Sequence, residues 1–138
     1  MEHEQISTAI MTSAFGDLLP DNPSIDLVLI ACPPDAADII RLSAEYYGID
    51  RDTMRDSRKR KGKYSRARQV ACYLSRSLRK PHESIARAFG FDHSSVYAAA
   101  KRVEALLPQD EHLRDDIDIL RLRMHDLAWS RIRVMTCH

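Results

Sequence analysis

A glycine turn followed by a helix stands out in the stretch FGFDHSSVYAAAKRVEALL, residues 89–107. Gly90 can adopt a positive φ at the end of one helix, and Asp92 can cap the free N–H groups that begin the next. Val96 and Val103 then lie on one face of that second helix. Two short helices joined by a tight glycine turn are typical of a helix-turn-helix, so this stretch predicts that motif.

The first turn of the second helix carries four polar residues, namely Asp92, His93, Ser94 and Ser95. Neighbouring residues on a helix point about 100° apart, so these side chains cannot form the hydrogen-bonded series of a catalytic triad. In a helix-turn-helix the second helix enters the major groove N-terminus first, where histidine and serine can bond base edges. DNA recognition therefore fits the cluster, and an ordinary polar helix start is the alternative.

Other kinds of functional site find little support. The six histidines show no paired spacing of the H-E-x-x-H kind, and the four glycines form no phosphate-binding loop. We therefore predict a protein that is not an enzyme and that has no metal and no cofactor.

The remaining pattern predicts helices throughout. We expect them over residues 35–47 closed by Gly48, 51–56 capped by Asp50, 66–80 capped by Ser65, 83–89 and 93–107. A packed terminal helix should follow Pro108, with a stripe of Leu113, Ile117, Leu120, Met124 and Leu127. Residues 25–32 fit a strand or a buried helix equally well. The predicted fold class is all-α, a helix-turn-helix bundle with short N-terminal and C-terminal extensions.

The net charge of +1 hides a concentrated basic segment. Residues 55–80 carry eleven Lys or Arg against a single Asp, whereas residues 1–54 carry two against ten acidic residues. Such a run is often only a solvated face, but its position beside a helix-turn-helix favours contact with phosphates.

Compartment signals point to the cytoplasm. The three cysteines are far apart and form no C-x-x-C pair, as expected of reduced thiols. The first Lys or Arg is Arg41, which argues against a secretory signal, and the apolar run 25–32 is too short to span a bilayer. We expect a cytoplasmic, nucleoid-associated protein with no membrane partner.

Two segments carry a family resemblance: RARQVACYL at residues 66–74 and IARAFGFDHSSV at residues 85–96. Together they closely resemble the C-terminal DNA-binding domain of the bacterial chromosomal replication initiator DnaA. There an R-x-R-Q-x-A-x-Y-L helix precedes A-F-G-x-x-D-H-[TS]-[TS]-V. The resemblance runs from about residue 35 to residue 129 and implies binding of double-stranded DNA at sites similar to the family's nine-base box, TTATCCACA.

The resemblance also implies which residues contact DNA. Arg60 falls at the position of an arginine that the family inserts into the minor groove, and the D-H-T-T segment that enters the major groove corresponds to residues 92–95. The full implied set is Lys59, Arg60, Lys61, Lys63, Arg66, Arg68, Gln69, Asp92, His93, Ser94, Ser95, Lys101 and Arg102.

This sequence departs from the family pattern in several places. Ser94 and Ser95 replace threonines and lack methyl groups that could contact thymine. The turn FGFDH is one residue shorter than the common F-G-G-R-D-H, and HESIA, residues 82–86, replaces L-P-E-I-G. The family's AAA+ module has no counterpart in these residues, which implies that the chain does not melt an origin by ATP-dependent assembly.

We expect three regions: an acidic and apolar extension over residues 1–34, the DNA-binding domain over 35–129 and a tail over 130–138. The extension carries a charge of −5 and apolar side chains. A protein partner or a second copy of the chain is a slightly better explanation for them than packing on the domain itself. The predicted function is regulation of replication initiation or transcription. The alternative is an adaptor with weak DNA binding that contacts the full-length initiator or another replication protein.

Overall fold

The computed structural model describes residues 27–56 and 62–136, in which every regular element is an α-helix. The helices are α1 (Leu27–Ala31), α2 (Ala36–Tyr47), α3 (Arg51–Met54), α4 (Lys63–Ser77), α5 (His82–Phe89), α6 (His93–Leu106) and α7 (Glu111–Thr136). The all-α prediction is confirmed.

Helix α2 is closed by Gly48 as predicted and begins at Ala36, one residue after the predicted start, with Asp35 as its N-cap. The Asp35 carboxylate accepts a hydrogen bond from the Asp38 N–H at 2.7 Å, and the Asp38 carboxylate accepts one from the Asp35 N–H at 3.0 Å. These two bonds form a capping box. Gly48 closes the helix at a φ of 66°, a conformation that disfavours residues with a Cβ.

Helices α2, α4, α5 and α6 share one hydrophobic core. Their fully buried members include Ile39, Ile40, Val70, Leu74, Ile85, Phe89, Val96 and Val103. The predicted face of α6 is confirmed, since Val96 and Val103 are fully buried. Along α4, Val70 and Leu74 are fully buried, while Leu78 just beyond it is only partly buried. Because α6 is held along its length, its first turn keeps a fixed position beside α5.

Helix α7 packs on this core through the predicted stripe, of which Leu113, Ile117, Leu120 and Met124 are at most 2% exposed. The hydroxyls of Tyr46 and Tyr47 both donate to the Asp116 carboxylate. That hydrogen bond raises the pKa of Tyr46 to about 12, and burial raises the pKa of Tyr47. The tyrosine pair therefore fastens α2 to the first half of α7.

A second link joins α2 to the far end of α7. The Arg131 guanidinium donates to both Asp38 oxygens, at 2.6 and 2.9 Å, and this bond holds the pKa of Asp38 below its usual value. The helix continues beyond Arg131 to Thr136. The predicted domain limit at residue 129 stays a prediction, but the helix itself runs past it.

The apolar run over residues 25–32 forms a helix in its described part, which decides between the two expected structures. Val28 and Leu29 of α1 are buried, at 3% and 7% exposure, and belong to the same core as α2 and α7. Val28 and Leu29 therefore pack on the domain itself, whereas the sequence slightly favoured a protein partner or a second copy for the apolar side chains of the extension. Residues 1–26 lie outside the described residues.

The sequence-based bounds of two helices were wrong. Helix α4 begins at Lys63, because Gly62 precedes it at a φ of 57°, so Ser65 lies inside its first turn and does not cap it. It ends at Ser77 rather than Lys80, since Arg79 has a φ of 62°. Asp50 precedes α3 without a side-chain capping bond, and α3 ends at Met54.

Candidate nucleic-acid interface

The turn between α5 and α6 has the predicted glycine geometry. Gly90 has a φ of 77°, and its N–H donates to the Ala86 carbonyl at 2.7 Å, which the Phe91 N–H also reaches at 2.9 Å. Phe89 is buried and stacks on Phe91 with ring centroids 5.2 Å apart. The turn is fixed by its backbone bonds and by this aromatic pair, so α6 leaves α5 in one direction.

Asp92 caps α6, as predicted. Its Oδ1 accepts the Ser95 N–H at 2.8 Å and the Ser94 hydroxyl at 2.9 Å. The hydrogen bond from the Ser95 backbone, supported by the serine side chains, lowers the pKa of Asp92. One carboxylate oxygen thus accepts both hydrogen bonds at the start of α6.

The structure brings the four predicted first-turn residues together on the surface. Asp92, His93, Ser94 and Ser95 are all exposed, directly ahead of the buried Val96. A turn of small polar groups on a rigidly packed helix has the shape and chemistry that entry into a DNA major groove requires.

The start of α4 presents further predicted residues. Lys63 is exposed and lies near the Tyr64 ring, while Arg66 pairs with Asp110 at 3.2 Å and stays about one third exposed. The Gln69 amide donates to the Ser65 hydroxyl oxygen at 3.2 Å. Of these, Lys63 is the most accessible cation.

Arg68 lies inside the molecule instead of on the surface. It is 7% exposed, and its guanidinium donates to the carbonyls of Met54 at 2.8 Å, Thr53 at 2.9 Å and Asp56. It also lies 6.0 Å from the Phe91 ring. These carbonyls lie at and just beyond the end of α3, where the last carbonyls of a helix lack intrahelical partners. The Thr53 carbonyl also accepts the Asp56 N–H at 3.1 Å. Arg68 therefore links α3, α4 and the turn before α6.

Lys101 and Arg102 lie on the exposed side of α6, two turns beyond His93. The Lys101 ammonium pairs with Glu104 at 3.3 Å. The predicted contacts Lys59, Arg60 and Lys61 lie outside the described residues. They precede Gly62, where the chain enters α4 beside the other basic residues.

Three residues of this surface were missed by sequence reasoning: Arg76, His82 and Tyr97. Together with Lys101 they line a groove between α4, α5 and α6. One signal was available, since Tyr97 follows His93 by four residues and so shares its helical side. The position of His82 depends on the packing of α5 and had no local signal.

Metal binding and nucleophilic chemistry have little support in the described part of the chain. No group of three or more His, Cys, Asp or Glu side chains there could hold a metal ion. Burial raises the pKa of Cys72 to about 12, so this thiol is unsuited to nucleophilic chemistry. No helix among residues 27–56 and 62–136 is long and apolar enough to cross a membrane.

Comparison with known proteins agrees with this geometry. The sequence profile described as "Bacterial dnaA protein helix-turn-helix" matches residues 36–103, which span α2 to α6. Residues 36–103 belong to the bacterial DnaA helix-turn-helix family. The recognition made from the two sequence segments is thereby confirmed, and the matched domain is of a DNA-binding kind.

The chain is similar to several proteins named "Chromosomal replication initiator protein DnaA". One from a Bradyrhizobium species is 36% identical over 91 residues, covering 64% of this chain and 19% of that protein. One from Corynebacterium aurimucosum is 32% identical over 127 residues, covering 83% of this chain and 23% of that protein. One from Ehrlichia ruminantium is 39% identical over 79 residues, covering 56% and 17%. The chain thus spans about a fifth of the length of these DnaA relatives.

Proposed function

We propose that this chain binds double-stranded DNA in a sequence-specific manner, at sites similar to the replication-initiator box TTATCCACA, and thereby regulates replication initiation or transcription. The first turn of α6 enters the major groove and contacts base edges. The basic segment before α4 contacts the backbone and the minor groove.

The single observation that carries this proposal is the exposed first turn of α6 on a fixed helix-turn-helix. Asp92 holds the helix start, while His93 and Ser95 stay accessible beside it. An exposed polar turn has no role in the core, so it is available for base edges. The DnaA membership of residues 36–103 supports the same placement.

The remaining predicted contacts differ in their roles. Lys63, Arg66, Lys101 and Arg102 retain exposed or partly exposed charges suited to phosphates. We assign the same role to Lys59 and Lys61, and a minor-groove contact to Arg60, from the family resemblance. Gln69, in the first half of α4, is assigned a DNA contact from the same resemblance, and Asp92 caps the first turn of α6. We assign Arg68 a positioning role, because its guanidinium is occupied by backbone carbonyls.

The experiment is a selection of bound duplexes from a random library at near-physiological salt. The recovered motif should resemble the nine-base box, with reduced preference for thymine where the two serines replace threonines. A library in which no sequence is enriched would refute sequence-specific binding. His93→Ala in the same selection should broaden the recovered motif, while the matched exposed variant His112→Ala on α7 should recover the original motif.

A second candidate function is an adaptor that contacts the full-length initiator or another replication protein. It is favoured by the outward side of α7, where Ile119, Leu122 and Trp129 are 39%, 53% and 44% exposed. Replacing Leu122 and Trp129 by serine should abolish such a contact and leave the DNA motif unchanged, which separates the two functions.

A further inference from the structure

A groove beside the first turn of α6 extends the candidate interface. Its walls come from the second half of α4, the start of α5 and the side of α6 that continues from His93. The side chains that matter for its chemistry are Tyr73, Arg76, His82, Tyr97, Lys101 and Glu104. The groove is therefore continuous with the turn that we propose enters DNA.

Tyr97 is the central residue of this groove. It lies one helical turn after His93 and is 53% exposed, so its ring and hydroxyl are accessible to a ligand. Its ring lies 5.8 Å from the His82 ring, and the Lys101 ammonium lies 5.7 Å from its centroid. Within the described part of the chain, no residue hydrogen-bonds the Tyr97 hydroxyl, which leaves this donor for a ligand.

The groove is positively charged. Arg76 and Lys101 contribute two cations, of which Lys101 is paired with Glu104. Partial burial and the charges of Arg76 and His93 lower the pKa of His82. The titratable and charged groups that surround this imidazole are thus Arg76 on α4, His93, Lys101 and Glu104 on α6, and the phenols of Tyr73 and Tyr97. An anion in the groove would relieve the repulsion that His82 experiences.

We propose that this groove is a phosphodiester-binding site, in which the Tyr97 hydroxyl and the His82 imidazole donate to backbone phosphate oxygens next to the base pairs that α6 contacts. The inference rests on the proposed DNA-binding function. A contact of this kind carries no base information, so it should strengthen binding to all duplexes alike.

The proposed contact makes DNA binding dependent on pH. A phosphate beside His82 stabilises the protonated imidazole, so the pKa of His82 is higher in the complex than in the free protein. Binding then takes up a proton, and affinity rises as the pH falls through this interval. The proposed interface contains a second imidazole, His93, so His82 must be tested separately.

The test measures duplex affinity by fluorescence anisotropy at about pH 6 and about pH 8, on either side of the ordinary imidazole pKa of about 6.5. The variants are Tyr97→Phe, which removes only the hydroxyl, and His82→Gln, which keeps a donor but does not titrate. His112→Gln is the matched control. We expect Tyr97→Phe to weaken binding to preferred and random duplexes by roughly three- to tenfold. His82→Gln should reduce the gain in affinity at low pH, and His112→Gln should change neither value.

A direct readout accompanies the affinities. The imidazole proton resonances of His82, followed by NMR against pH, should report a higher pKa when duplex is bound. Unchanged affinities in both variants, or an unchanged His82 titration, would overturn the groove assignment while the proposed function stands. A loss confined to the preferred duplex would show a base contact and refute the phosphate. If the unaltered chain bound no duplex, the proposed function would fail first and the groove with it.

Discussion

The clearest disagreement between family resemblance and structure concerns Arg68. The resemblance implies a DNA contact, whereas the structure places its guanidinium against the carbonyls of Thr53, Met54 and Asp56. Arg68→Met keeps much of the side-chain volume and removes every donor. The bond to Met54 is buried, while the other two are partly buried. A charged hydrogen bond contributes about 1.5–3 kcal/mol, and water can replace the more accessible donors in part. We therefore expect a loss of about 3–4 kcal/mol in the free energy of unfolding.

That loss is a large part of the roughly 5–15 kcal/mol that stabilises an ordinary domain. It corresponds to a decrease of roughly 10 °C or more in melting temperature for a chain of this size. Urea unfolding followed by circular dichroism measures it, with an unchanged slope showing that only stability has changed. Arg68→Lys keeps the charge and loses the planar fork, so it should also destabilise. Arg66→Ala, which removes only an accessible pair with Asp110, is the matched control and should be much milder.

The opposite result would refute the reasoning. If Arg68→Met unfolded at the wild-type urea concentration and yet bound DNA weakly, the guanidinium would contact DNA and its carbonyl bonds would be dispensable. A stable Arg68→Lys variant with full DNA affinity would point the same way, because lysine preserves a phosphate contact but not the three-carbonyl arrangement.

Three further predictions concern the interface itself. If it engages about five to seven phosphates, the logarithm of the binding constant should fall against the logarithm of salt concentration with a slope of roughly −4 to −6, and binding indifferent to salt would exclude a DNA role. His93→Ala should weaken binding to the preferred site by about 1–3 kcal/mol and relax its specificity, whereas Lys63→Ala should weaken binding to all duplexes alike. Equal losses on preferred and random duplexes for both variants would contradict the assignment of α6 to base contacts. The pKa of Asp92 is lowered in the folded state, so its cap stabilises the fold above the unfolded-state pKa, and this stabilisation is lost as the pH falls through the folded-state pKa. Asp92→Ala should therefore lower the melting temperature near neutral pH and have little effect in strong acid. Thermal melts at several pH values would show this difference.

Features that depend on near neighbours in the sequence were predictable. The cap at Asp92 and the turns at Gly48 and Gly90 involve bonds and dihedral angles within a few residues. The predictions for them are confirmed because a capping carboxylate or a positive φ acts within a few residues. The caps expected at Asp50 and Ser65 are wrong, so a local signal alone does not guarantee the cap. The polar first turn of α6 is recognisable from the sequence for the same reason.

Features that depend on distant parts of the chain were not predictable. The Tyr46 and Tyr47 hydroxyls reach Asp116 across about seventy positions, and Arg68 reaches back to the end of α3. A basic residue beside a DNA-binding motif is expected on the surface, and only the packing of α3 against α4 provides carbonyls that bury it. Helix α4 likewise starts early because Gly62 accepts a positive φ, which a search for side-chain caps does not detect.

The cap of α6 also determines what its first turn can recognise. Ser94 donates its hydroxyl proton to Asp92, so toward a ligand its oxygen can act only as a hydrogen-bond acceptor. An acceptor of this kind suits the exocyclic amino group of adenine or cytosine and not the carbonyl oxygens of guanine or thymine. Serine also lacks the methyl group with which threonine could contact thymine. The donor that a purine N7 requires can come from His93, which is exposed on the same turn. If α6 enters the major groove as proposed, Asp92 influences the base preference of this protein, because it takes the Ser94 hydroxyl proton and leaves Ser94 as an acceptor. Removing the Asp92 carboxylate should therefore alter the preferred DNA sequence as well as the stability of the fold.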